Sequence, residues 1–113
     1  LKLVRVTLAA AGFTVLEAEN GEAALAIANK LDHPIDLVVS DVILPKMSGP
    51  SMVTHLRAIH PNTRALYISG YPRTHIDDII SERDGFLQKP FRSDELVNRA
   101  RALLNDADDF SAA

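Results

Sequence analysis

The sequence has no cysteine, which excludes disulfides, thiolate zinc sites and cysteine nucleophiles at once. Long apolar runs are missing too; none approaches the roughly 20 residues that a membrane-spanning helix needs. No N-terminal stretch has the pattern of a signal peptide. Positive charge is not in excess: 12 Lys and Arg stand against 15 Asp and Glu, a net charge of -3. A domain with a large nucleic-acid-binding face is normally basic. The four histidines, His33, His55, His60 and His75, are scattered without the HExxH-like spacing of a metal-binding helix. Repeats, linkers and low-complexity segments are absent as well. These absences lead to the expectation of a cytoplasmic domain with no direct nucleic-acid partner and no membrane contact.

What is there suits one globular unit. The 113 residues fall within the size of a single domain, commonly about 100–150 residues. Apolar residues at 47% and charged residues at 24% are ordinary for such a unit.

The chain opens in mid-helix, with Leu1, Leu3, Val4, Leu8 and Ala11 on one apolar stripe and Gly12 as its stop. Phe13–Ala18 reads as a strand. Asn20 is a good N-cap for a helix over Gly21–Leu31 whose buried face is Ala24, Leu25, Ile27, Ala28 and Leu31. After Pro34, residues 35–40 form a nearly continuous apolar run, suited to a strand covered on both faces. Asp41 closes it. A loop with Pro45 and Gly49 leads to a helix carrying Met52, Val53, Leu56 and Ile59. Ala65–Ser69 is another buried strand, followed by a turn at Gly70-Tyr71-Pro72 and a weaker helix around Thr74–Glu82. Phe86–Gln88 is a short strand ending at Lys89-Pro90. Ser93 is expected to cap a final helix, with Glu95 early in it and Leu96, Val97, Ala100, Leu103 and Leu104 inward. The domain is thus expected over 1–105, with a frayed, polar, acidic tail at 106–113. Alternating strands and helices at this spacing predict a parallel sheet covered on both faces.

In open α/β sheets the site lies at the carboxyl ends of the strands. Those ends read Asp41, Ser69 and Lys89: a carboxylate, a hydroxyl and an ammonium. Any one of them alone could be a solvated loop residue, but the three together make a phosphoryl-transfer set. A carboxylate can attack a phosphoryl group to form an aspartyl phosphate. The transferring group spreads charge over three equatorial oxygens, so cations and donors must meet it. Lysine offers a mobile charge, serine one hydrogen bond, and a divalent metal held by oxygens supplies the remainder.

Three stretches carry a family resemblance. Asp41-Val42-Ile43-Leu44-Pro45-Lys46-Met47-Ser48-Gly49 resembles the signature of response regulator receiver domains of two-component signalling, with proline four and glycine eight residues after the phosphoacceptor. Ile68-Ser69-Gly70-Tyr71 is similar to the family's hydroxyl-bearing strand end. Phe86-Leu87-Gln88-Lys89-Pro90-Phe91 resembles its lysine-proline motif. The similarity covers nearly the whole chain.

The resemblance implies a flavodoxin-like (βα)5 doubly wound sheet with strand order 2-1-3-4-5. It implies that Asp41 takes phosphate from a histidine kinase or a histidine phosphotransfer protein, and that Ile43 lends its backbone carbonyl to Mg2+. Lys89 and Ser69 would hold the phosphoryl oxygens, and Phe86 would swing inward as Ser69 moves. Pro90 is expected in cis, and Gly49 in a structural role. The face of the fourth helix, fifth strand and fifth helix would meet partners, a homodimer among them.

Two departures stand out. The family's first strand, whose end carries an acidic pair for magnesium, has no counterpart here; by family spacing it would precede Leu1, with roughly ten residues missing, about one strand and its turn. The stretch Glu82-Arg83-Asp84-Gly85 replaces the usual alanine-glycine-alanine turn.

Other classes fit less well. A haloacid-dehalogenase-like phosphatase needs a second aspartate where Ile43 stands. A flavodoxin-like electron carrier needs a Ser/Thr/Gly-rich phosphate loop, which is missing. A receiver-like module that is never phosphorylated would not need Asp41, Ser69 and Lys89 together. The wording MSGP, ISGYP and FLQKPF resembles receivers at the C-terminus of hybrid sensor histidine kinases, with a stand-alone single-domain regulator as the alternative. The domain is expected to be a phosphoacceptor rather than a conventional enzyme, within a longer chain that has kinase activity. Apolar Ile43 and bulky Tyr71 beside the site predict slow loss of the phosphate.

Overall fold

A computed structural model describes residues 2–70 and 84–112 of the chain. The predicted turn at Tyr71 and the weaker helix at 74–82 lie outside the described residues, as does His75. The first helix, α1 (Lys2–Ala10), ends as its glycine demands. Gly12 takes a φ of +100°, and the amides of Gly12 and Phe13 donate back to the carbonyls of Ala9 and Leu8, each at 3.1 Å. That pair of bonds is a Schellman cap. Helix α2 (Gly21–Lys30) starts at Asn20, whose side-chain oxygen accepts from the Ala23 amide at 2.8 Å.

The sheet consists of β1 (Leu37–Asp41), β2 (Arg64–Ser69) and β3 (Gly85–Gln88). All pairings are parallel, in the order β1-β2-β3. These are the expected third, fourth and fifth strands. Helix α3 (Gly49–Ile59) joins β1 to β2, and α4 (Ser93–Ala112) follows β3.

Successive residues of a strand face opposite sides, and the core obeys this. Ala65 and Tyr67 of β2 join Phe86, Ala28, Met52, Val53 and Leu56 on the side of α2 and α3. Leu66 and Ile68 join Leu87, Val4, Leu8, Leu96 and Ala100 on the side of α1 and α4. The sheet is doubly wound.

Three expectations need correction. Phe13–Ala18 forms no strand. In the order 2-1-3 its partner would be the first strand, which this sequence does not contain, so its amides have no ladder to join. Its alternation survives: Phe13 and Val15 pack on the core while Thr14 and Leu16 are exposed. Secondly, Ser93 is the first helical residue of α4 rather than its cap. The capping position falls to Arg92, whose carbonyl accepts from the Leu96 amide at 3.2 Å. Glu95 Oε1 accepts from the Arg92 amide at 3.2 Å, the half of a capping box that a glutamate at N3 supplies. Thirdly, the backbone stays helical to Ala112 instead of fraying after Asn105. Residues 106–112 contain neither glycine nor proline to stop it.

Candidate functional site

The parallel register brings the strand ends together. Asp41 pairs with Ile68, and Ser69 with Gln88. Past the ladder, the Val42 amide donates to the Ile68 carbonyl at 3.0 Å and the Lys89 amide donates to the Ser69 carbonyl at 2.8 Å. Asp41, Ser69 and Lys89 therefore sit on one sheet edge, held there by backbone bonds.

Their side chains differ in setting. Lys89 Nζ lies 3.1 Å from Asp41 Oδ1. Oδ1 is buried, and the angles of that approach do not make a hydrogen bond. The pair is held by charge, without direction. Ser69 is buried. Lys89-Pro90 is a cis peptide bond.

Gly49 fixes the loop that leaves Asp41. A Cβ there would overlap the Asp41 carbonyl oxygen and lie 2.9 Å from Ser40 Oγ. Only a residue without a side chain lets the start of α3 approach the strand end so closely. The Gly49 amide then donates to the Val42 carbonyl at 2.8 Å. Ser48 caps α3, accepting from the Ser51 amide at 3.1 Å. Met47 also packs toward α2, within 2.9 Å of where a Cβ on Gly21 would stand.

Phe86 lies inside the core. It is 8% exposed, in the cluster with Tyr67, Val53 and Leu56, and its carbonyl accepts from Arg99 Nη1 of α4 at 3.2 Å. Ile43, by contrast, is 69% exposed, an apolar side chain in solvent two residues from the carboxylate.

Two further features belong to this sheet. Ser40 appeared only as the end of an apolar run; it is buried, and its hydroxyl donates to the Asp41 carbonyl at 2.8 Å. A polar residue closing an otherwise apolar strand was the available signal. The second is an ion pair at the opposite end of the sheet: Arg57 of α3 reaches Asp84, just before β3, at 2.8 Å. Arg57 Nε also donates to the Thr63 carbonyl at 3.0 Å. Burial, with the Asp84 charge adding to it and Arg57 opposing, pushes the Tyr67 phenol up to about 12.

The orphaned Oδ1 of Asp41 suits a cation, but among the described residues no three acidic or histidine side chains gather to close a site.

The chain is similar to known proteins in sequence and in fold. The profile of the family described as response regulator receiver domain matches residues 1–101. The chain is 36% identical over 99 residues to the sensor kinase CckA of Brucella abortus, covering 86% of this chain and 10% of that protein. It is 36% identical over 103 residues to the transcriptional regulatory protein CpxR of Klebsiella pneumoniae, covering 90% and 43%. The chain thus spans less than half the length of either relative. Among solved structures, a response regulator receiver protein from Sinorhizobium medicae superposes with a TM-score of 0.83 at 30% identity, over 93% of this chain and 85% of that one. The receiver domain of the hybrid histidine kinase CckA gives 0.77 at 34%, over 91% and 87%.

Proposed function

The chain belongs to the response regulator receiver family, and from that premise we propose that it accepts a phosphoryl group on Asp41 in two-component signalling. The observation that carries the reading is the lysine ammonium 3.1 Å from a buried carboxylate oxygen at a sheet edge. The Asp41 oxygen attacks the phosphorus of a phosphohistidine or small phosphodonor, and the bond to the donor breaks. Lys89 remains beside the new phosphoryl oxygens, and the Ser69 hydroxyl donates to another. Asp41 and the Ile43 carbonyl would contribute to holding a magnesium ion, which would supply the remaining positive charge.

The donor is a histidine kinase or histidine phosphotransfer protein, and the domain is the cytoplasmic receiver of a hybrid sensor histidine kinase. The relatives include both a kinase and a transcriptional regulator, so a stand-alone regulator remains the second reading. Output passes through the β3–α4 face, where Arg99 grips the Phe86 carbonyl and a second copy could dock. Phe86, whose ring packs with Tyr67 in the core, is the aromatic that responds as Ser69 moves toward the phosphoryl group. Exposed Ile43 offers no polar group to orient water, which favours slow hydrolysis.

Titration of the full-length protein with beryllofluoride and magnesium, followed by 19F NMR, tests the reading. A bound resonance that disappears in Asp41→Asn is expected. Identical spectra for parent and variant would refute it.

A further inference from the structure

Something must aim the Asp41 carboxylate, and Lys89 cannot do it alone. The lysine stem is long, half-exposed and able to follow the carboxylate wherever it points. Its contact lacks hydrogen-bond angles, so it attracts without orienting. The aim must come from the backbone on which Asp41 stands.

That backbone is clamped. The Asp41 carbonyl takes the Ser40 hydroxyl at 2.8 Å, with Gly49 pressed against the same oxygen. The next residue, Val42, is tied on both sides, its amide to Ile68 and its carbonyl to Gly49. Of these ties only the one from Ser40 comes from a side chain. A buried hydroxyl needs a partner, and this one spends its proton on the phosphoacceptor's own peptide. Alanine would fill nearly the same space, so the hydroxyl rather than the size of Ser40 is what distinguishes the residue.

We propose that Ser40 is a positioning residue for the phosphoacceptor: its hydroxyl, by holding the Asp41 carbonyl, fixes how the chain leaves β1 and thereby aims the Asp41 carboxylate at Lys89. It touches neither phosphate nor metal and acts through Asp41. The proposal rests on Asp41 as phosphoacceptor for its consequence, though not for its geometry. Small misplacements of a reacting group cost rate steeply, and one neutral hydrogen bond corresponds to roughly a five- to tenfold effect.

Two readouts in the full-length protein separate the claim from the function. The first is the Asp41 13Cγ resonance together with that of Lys89 15Nζ, without phosphodonor. The second is the initial rate at which acetyl phosphate and magnesium label Asp41. Ser40→Ala should move both resonances and slow labelling by roughly five- to tenfold, while Ser40→Thr, which keeps the donor, should stay near the parent in both. Resonances that move in the alanine variant, in a protein that never labels, would support the positioning and refute the phosphoacceptor reading. Resonances unmoved by Ser40→Ala, or folded alanine and threonine variants perturbed alike, would overturn the proposal.

Discussion

Gly49 stands where any side chain would collide with the Asp41 carbonyl oxygen, although eight positions separate the two residues. The glycine of the family signature is therefore a packing requirement at the root of Asp41. Gly49→Ala must push α3 away from the strand end, at about 1–3 kcal/mol for overpacking of this kind. Urea unfolding should show that loss, with labelling of Asp41 slowed beyond it. A midpoint equal to the parent's would show that the loop yields without cost.

Asp84 is nearly buried and its partner Arg57 is a third exposed. Removing one member of a buried pair leaves an uncompensated charge, which costs roughly 3–5 kcal/mol when both are buried. Screening at Arg57 places this pair toward the low side of that range. Arg57→Met should therefore destabilise clearly, and Asp84→Ala added to it should cost little more, because the charge in difficulty has gone. Strictly additive losses in denaturant melts would mean that the two residues act separately.

The Tyr67 phenol, raised from 10.0 to about 12, keeps its proton in the folded state longer than in the unfolded chain. Its contribution is fully present below about pH 10 and is lost as pH climbs toward about 12, amounting to roughly 2–3 kcal/mol. Tyr67→Phe removes that titration. Stability measured across this window should fall less steeply for the variant, and parallel curves would contradict the shift.

Much of this was legible in the residues. Asn20 as a cap, Gly12 as a stop and the run before Asp41 follow from local chemistry, and the strand ends carrying Asp41, Ser69 and Lys89 follow from the alternation of elements. Several of the rest depended on something distant in sequence. Phe13–Ala18 has strand composition, but a strand exists only with a neighbour. Ser93 has the side chain of a cap, yet the helix begins at Ser93 itself and Arg92 stands in the capping position. Lys46 adopts a φ of +66°, an uncommon state for a residue with a Cβ, in the loop between Asp41 and Gly49. Nothing near Asp84 named Arg57, 27 positions away, as its partner.

The central claim is that Asp41 carries the phosphoryl group, and its most direct test is to locate that group chemically. The full-length protein is incubated with acetyl phosphate and magnesium, then reduced with borohydride, which turns an aspartyl phosphate into homoserine. Peptide mass spectrometry then reads which residue has changed. Homoserine at position 41, absent from unphosphorylated protein and from Asp41→Asn, is the predicted result. Homoserine formed at another aspartate, or label that survives undiminished in Asp41→Asn, would contradict the account.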